Sequence, residues 1–277
     1  MDTRNLHGKT ALVTGAASGI GKESALAFGR RGADLVICDL DEAGLKATES
    51  ALRGLGRQVL ARRVDVSDRE DMRAFAEATR AQVGPLDILM NNAGVGLGAS
   101  FLDTSLEDWD WILRINLLGV VHGCHFFVPP MVERGAGGHV VNVSSAAGYL
   151  PSEALSAYVT TKFAVLGLSE ALRTELRRHR IGVTAICPGI IDTPITRSSQ
   201  LRGRYAEAGQ REEMVEAYRK RGYGPERVAE NVLRAIQRNR GIAPVSPEAW
   251  IGWYLKRLSP ALVSRIASWA EGRRRQP

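Results

Sequence analysis

With 277 residues, 44% of them hydrophobic and 24% charged, the chain has the balance of a globular protein with a sizeable core, as one large domain or two small ones. It has no run of 18 or more apolar residues, so no spanning helix is expected, and the polar start Met1 to Asn5 is unlike a signal peptide. The net charge of +7 admits nucleic acid, an anionic surface or an acidic ligand, but acids are interleaved with the arginines, as in Arg211-Glu212-Glu213, which is the pattern of a solvated helical surface.

The first β-branched run, Thr10 to Thr14, reads as a strand. It continues as Thr14-Gly15-Ala16-Ala17-Ser18-Gly19-Ile20-Gly21 into a helical pattern. Glycines at a strand-to-helix junction let the backbone approach a pyrophosphate, and the helix N-terminus offers unpaired N–H groups. Elsewhere the same glycines would mark a plain tight turn. Asp34 to Cys38 is the second strand. Asp39 lies 18 residues beyond Gly21, where a carboxylate can accept from both adenosine ribose hydroxyls and repel a 2′-phosphate; a helix N-cap is the other use for it. Leu40 follows, and only Lys22 brings a cation near the loop. The pattern favours NAD over NADP.

Gln58 to Val64 forms the third strand and ends in Asp65-Val66; Leu86 to Met90 forms the fourth and ends in Asn91-Asn92-Ala93-Gly94. Open α/β sheets bind ligands at such carboxyl ends, although singly each motif is only a turn signal. Asn116 interrupts an apolar helical stretch. A buried amide there bends the helix, binds water or makes a core hydrogen bond. His139 to Val143, the fifth strand, closes on Ser144-Ser145.

Tyr158 and Lys162 open a strong helical pattern, and their spacing puts phenol and ammonium on one face. Proton transfer to a carbonyl oxygen at neutral pH needs a phenol tuned below its ordinary range, and a nearby cation favours the phenolate. The pair is common by chance; its weight comes from the hydroxyls at Ser144-Ser145, the second of them 13 residues upstream and able to donate to a substrate oxygen. Val183 to Cys187 is the sixth strand. Pro188-Gly189-Ile190-Ile191-Asp192-Thr193 follows, with backbone groups and a hydroxyl for a nicotinamide carboxamide. Cys38, Cys124 and Cys187 read as free buried thiols of an intracellular protein, neither a disulfide nor a metal framework. Strands and helices alternate throughout, and the apolar runs suit strands buried on both faces, so the fold expected is α/β, a doubly wound and mainly parallel sheet.

Taken together and in this order, the motifs resemble the short-chain dehydrogenase/reductase family over about residues 6 to 240. The resemblance implies a Rossmann-like sheet of seven strands and a tetrad of Asn116, Ser145, Tyr158 and Lys162. In it the tyrosine is the general acid/base and Ser145 positions the substrate oxygen, with Ser144 as the fallback. Lys162 lowers the tyrosine pKa and binds the nicotinamide ribose, while Asn116 anchors a water. It implies cofactor contacts from Gly15, Ser18, Gly19, Ile20, Gly21, Asp39, Asp65, Val66, Asn92, Ala93, Gly94, Pro188, Gly189, Ile191 and Thr193. It also implies a homodimer or homotetramer built on the helices of Asn116 and Tyr158.

Residues 194 to 224 match no fixed pattern; in the family this stretch covers the substrate, so a lid is expected. Gly94 to Leu102, Tyr149, Leu150, Leu155 and Ile195 are expected to side the cleft, and their apolar character suggests a hydrophobic alcohol or ketone. The end departs from the family: Gly241 to Pro247 leads into a helical tail with Trp250, Trp253, Trp269, Tyr254, Leu255, Leu258, Leu262 and Ile266. Lys256, Arg257, Arg265 and Arg273 to Arg275 accompany them. The division expected is a domain over 1–247 and an extension over 248–277, either packed on protein or in contact with an anionic membrane. The chain reads as cytoplasmic, and partly membrane-associated in the second case. The other functions open to it are an NADP-dependent ketone reductase of the same fold and a silent dinucleotide-binding sensor or scaffold, against which the intact tyrosine, lysine and serine speak. No nucleic-acid partner is expected.

Overall fold

The computed structural model describes residues 1–266. Strands β1 (Thr10–Thr14), β2 (Asp34–Asp39), β3 (Val59–Arg63), β4 (Ile88–Asn91), β6 (Gly138–Val143), β7 (Ile181–Cys187) and β9 (Ile242–Pro244) form one sheet in the order β3-β2-β1-β4-β6-β7-β9. Each neighbouring pair is parallel. A separate pair, β5 (Leu97–Gly98) and β8 (Gln200–Leu201), joins the loop after β4 to the stretch after β7. The expected seven-stranded doubly wound sheet is therefore present. Its last strand, short and carrying Pro244, stands at the edge, where a missing N–H costs least.

Helices cover both faces. On one side lie α1 (Gly19–Arg30), α2 (Glu42–Gly54) and α9 (Pro225–Gln237), with Phe28, Leu52 and Ile236 fully buried. On the other lie α3 (Arg69–Val83), α5 (Gly119–Arg134) and α6 (Ser156–Leu176), with Met72, Phe75 and Phe127 in the core. A fully buried phenylalanine stabilises the fold by about 1.5–3 kcal/mol. Helix starts follow side-chain chemistry: Asp41 caps α2, Asp68 caps α3, and Ser105 with Asp108 forms a capping box on α4 (Leu106–Leu113). Asp41, not Asp39, is thus the cap after β2.

Between α4 and α5 the backbone widens into a π-helical turn, Arg114–Leu118, centred on Asn116. The whole run Leu106–Arg134 is long and apolar enough to cross a membrane by length and composition, although Arg114 and His122 break its apolar sequence. Half of its most apolar window is buried inside the protein, and α5 contributes Val120, Phe127 and Met131 to the core. That is the profile of a core helix.

After β7 come α7 (Ile195–Ser198), a 3-10 turn at Gly203–Ala206 and α8 (Gln210–Arg221), and α10 (Pro247–Leu258) follows β9. The inner face of α10 packs on the domain: Ala249 and Gly252 are buried, and Trp253 meets Tyr149 edge-on at 5.2 Å between ring centroids. Ile251, Tyr254 and Leu258 remain exposed on its outer face. Trp269 and Arg273 to Arg275 lie outside the described residues.

Candidate active site

Strands β1 and β4 deliver their carboxyl ends side by side, and the two loops are stitched together. Thr14 Oγ1 accepts from the backbone N–H groups of Asn92 and Ala93, both at 3.0 Å, while Asn92 Nδ2 donates to the carbonyls of Thr14 and Gly15 at 2.9 and 3.1 Å. Gly15 and Gly19 have φ of +67° and +54°, a region that favours glycine. A Cβ on Gly21 would lie 2.0 Å from the Gly15 carbonyl oxygen. Ser18 precedes α1 without a side-chain cap, and the first turn holds no acid. The N–H groups at that terminus therefore face the loop with no carboxylate competing for them, a cradle that fits a pyrophosphate.

Asp39 ends β2 beside this loop. Its Oδ2 accepts from Ala17 N–H at 2.9 Å and its Oδ1 from Asp41 N–H at 3.0 Å. The carboxylate is thereby fixed, with its remaining lone pairs able to take ribose hydroxyls. Asp65 forms a turn with Ser67, accepting from its N–H and hydroxyl. The Val66 carbonyl is 2.9 Å from His122 Nδ1. Across the cradle, Thr193 Cβ would be 3.5 Å from a Cβ on Gly19, so the Pro188 to Thr193 loop closes the site from the β7 side.

Two of the four tetrad residues meet at Gly94: a Cβ there would lie 3.1 Å from Asn116 Oδ1 and 3.6 Å from Lys162 Nζ. Asn116 is fully buried. Its Oδ1 accepts from Val95 N–H at 2.8 Å and its Nδ2 donates to the Val95 carbonyl at 2.9 Å. Of the three uses open to that amide, the core hydrogen bond is present, together with a widened helix. Ser144 is buried, and its hydroxyl donates to the Lys162 carbonyl at 2.7 Å. Ser145 accepts from Ala147 N–H at 3.1 Å, and its hydroxyl lies beside Tyr158.

Electrostatically the pair Tyr158 and Lys162 differs from the expectation. Burial pushes the phenol up to about 12; the Ser145 hydroxyl draws it down, and Tyr218 of α8 opposes a second negative charge nearby. Lys162 Nζ lies 5.6 Å from the tyrosine ring centroid and donates to the Val143 carbonyl at 3.0 Å. Burial pushes the ammonium itself down to about 8. In both groups the dominant cause is desolvation, which disfavours the charged form, phenolate in one and ammonium in the other.

The cleft differs in detail too. Tyr149, expected to side it, is buried under α10, donating from its hydroxyl to the Ala249 carbonyl at 2.7 Å. Leu97 and Ala99 are core residues, with Val95, Trp109, Trp111 and Tyr158 packed against them. Phe101 and Leu102 stand out at the surface. The stretch after β7 is anchored where β8 pairs with β5 and where Arg202 grips Asp108 through two bonds of 3.0 and 2.7 Å. Two residues of the site escaped the sequence reading: Tyr218, because α8 reads as a charged surface helix, and Glu248, because its partners are distant in sequence.

The chain matches the family model for short chain dehydrogenase over residues 9–202. It is similar to the "Probable oxidoreductase EphD" of Mycobacterium tuberculosis, 44% identical over 269 residues, which cover 95% of this chain and 45% of that protein. The chain thus spans about half the length of the curated relatives that it matches first. It is also similar to the C alpha-dehydrogenase of Sphingobium sp., 31% identical, with 95% of this chain and 88% of that one covered. Among solved structures, a short chain dehydrogenase/reductase from Burkholderia phymatum in complex with NAD superimposes with a TM-score of 0.84 at 31% identity, covering 93% of this chain and 96% of that chain. The family match, the sheet order and the paired loops together make this chain a member of the short-chain dehydrogenase family of oxidoreductases.

Proposed function

We propose that the chain oxidises a hydrophobic secondary alcohol or reduces the matching ketone, with NAD(H) as hydride carrier and Tyr158 as the acid/base. The observation that carries this reading is a linked set at the carboxyl edge that also holds the glycine cradle: Asn116 and Lys162 meet at Gly94, Lys162 lies 5.6 Å from the Tyr158 ring centroid, and the Ser145 hydroxyl lies beside that phenol.

A bound nicotinamide would supply or accept the hydride. In reduction, the Tyr158 phenol donates its proton to the carbonyl oxygen as the carbon becomes a carbinol; in oxidation, the phenolate takes the hydroxyl proton. Ser145 holds that oxygen within reach of the phenol by a hydrogen bond from its hydroxyl. Lys162 favours the phenolate and has a donor to offer the nicotinamide ribose. The high phenol pKa suits the acid role in reduction, and oxidation calls for further positive charge near the ring to bring the phenol down. Val95, Ala157 and Leu155, with Met214 and Tyr218 on the half-buried face of α8, give an apolar surround, which supports a lipophilic substrate.

Cofactor choice rests on Asp39. Tryptophan-fluorescence titration is expected to give an NAD+ dissociation constant at least about tenfold below that for NADP+, and Asp39→Asn is expected to narrow the gap by raising affinity for NADP+, since a carboxylate beside a 2′-phosphate is a like-charge contact. Equal affinity in the parent protein would remove the preference for NAD. Leu118, Val121 and Phe163 are exposed on the helices that carry Asn116 and Lys162, a face suited to a homodimer or homotetramer. Sedimentation equilibrium is expected to report a multiple of the chain mass, and Phe163→Glu to shift it toward one chain; a monomeric parent would end that proposal.

A further inference from the structure

Glu248 stands at the start of α10, outside the span that matches the family model, yet its carboxylate reaches two parts of the site. Oε1 accepts from the Ile190 backbone N–H at 3.1 Å, in the loop after β7. Oε2 accepts from Arg221 Nη2 at 2.8 Å, at the last residue of α8. The contact is tight: a Cβ on Gly189 would lie 2.3 Å from Ser246 Oγ and 2.6 Å from Glu248 Oε1, and Ser246 is fully buried. The loop after β7 therefore packs closely against the start of α10, with no room for a side chain at Gly189.

Helix α8 needs such a fixture. None of its residues is fully buried and its inner face is only half-buried, at Met214 and Tyr218, so apolar packing alone holds its position loosely. The stretch leading into it is tied through β8 and the Arg202–Asp108 pair, its first turn through Arg211, which donates to the Arg197 carbonyl, and its downstream end meets Glu248. An ion pair between half-exposed partners is ordinarily weak. Here the same carboxylate also satisfies a backbone N–H, so moving it disturbs both partners at once.

We infer that Glu248 is a positioning residue that registers the lid helix α8 against the Pro188 to Thr193 loop, so that the C-terminal extension sets how the substrate side and the cofactor side of the site meet. This rests on the dehydrogenase reading for the name of the two sides, but the tie itself is independent of the chemistry.

Hydrogen exchange by mass spectrometry on the full chain tests it, following peptides that cover 186–194 and 210–221. Glu248→Gln keeps an amide oxygen for Ile190 N–H and discards the charge that holds Arg221. It is expected to speed exchange in 210–221 by about three- to tenfold and to leave 186–194 within about twofold of the parent. Arg221→Gln is expected to behave the same way, and Glu248→Ala to loosen both peptides. NAD+ titration followed by tryptophan fluorescence is expected to show several-fold weakening in Glu248→Ala alone. Unchanged exchange in 210–221 for both glutamine variants, or acceleration spread evenly over the chain, would overturn the inference. Should the alanine variant fold poorly, the two glutamine variants decide it. If the parent binds no NAD+, the dehydrogenase reading fails while the exchange pattern still decides the role of Glu248.

Discussion

Tyr158→Phe is expected to lower turnover by roughly 100- to 10,000-fold while leaving the NAD+ dissociation constant within a few-fold of the parent. The substitution removes one oxygen and leaves the ring, which packs with the Leu97, Ala99 and Ile112 cluster, in place. General acid/base contributions fall in that range, and a loss confined to turnover, with cofactor affinity unchanged, is the signature of a group that acts on the reacting atoms. Ser145→Ala is a useful companion: its hydroxyl contributes to lowering the phenol pKa, and in the proposed reaction it also holds the substrate oxygen. Steady-state rates with a lipophilic secondary alcohol and fluorescence titration with NAD+ measure the two halves of the expectation. Turnover retained in Tyr158→Phe would rule out the tyrosine as the proton carrier.

Gly21→Ala is the second large effect expected, and it falls on binding instead of chemistry. The added methyl would sit 2.0 Å from the Gly15 carbonyl oxygen and 2.4 Å from Asn92 Nδ2. The first is backbone and cannot rotate away. Helix α1 must then move off the β1 loop, which also breaks the bonds by which Asn92 holds Thr14 and Gly15. Overpacking of this kind costs on the order of 1–3 kcal/mol, or about 2–4 °C in Tm for each kcal/mol in a chain of this size. NAD+ affinity is expected to fall by at least about 100-fold, because the displaced N–H groups and glycine backbone are what a pyrophosphate would approach. Calorimetric Tm and NAD+ titration check the two effects separately. Parent-like affinity in Gly21→Ala would mean that the dinucleotide does not use this cradle.

The sheet was legible because its strands are short apolar runs separated by long amphipathic ones; the observed bounds of β1 are those expected, and β2 gains only Asp39. Where the sequence reading slipped, three-dimensional packing decided the outcome. The stretch Gly241 to Pro247, expected to lead only into the helical tail, also supplies a sheet strand: Ile242–Pro244 pairs with β7. Asp39 and Asp41 are equivalent capping residues on paper, and only the backbone at the start of α2 chooses between them.

The site was legible in residue identity and less so in energetics. That Ser144 is occupied by the Lys162 carbonyl while Ser145 faces the phenol depends on strand pleat and on the turn after β6, which alternate the side chains. That Lys162 is drawn to the Val143 carbonyl depends on its burial. Spacing puts phenol and ammonium on one helix face; it carries no information on how much water either keeps. The Glu248 tie joins Ile190, Arg221 and Glu248, residues from three elements with no sequence pattern among them.

The most direct test of hydride transfer at this site follows the hydrogen itself. NADH carrying deuterium at both C4 positions is incubated with the protein and a panel of lipophilic ketones, and the alcohols formed are weighed by mass spectrometry. One deuterium on the carbinol carbon of each alcohol formed by the parent protein, with product formation falling in Tyr158→Phe, is the result expected. Alcohol formed without deuterium, or NADH oxidised with no carbinol produced, would contradict the account.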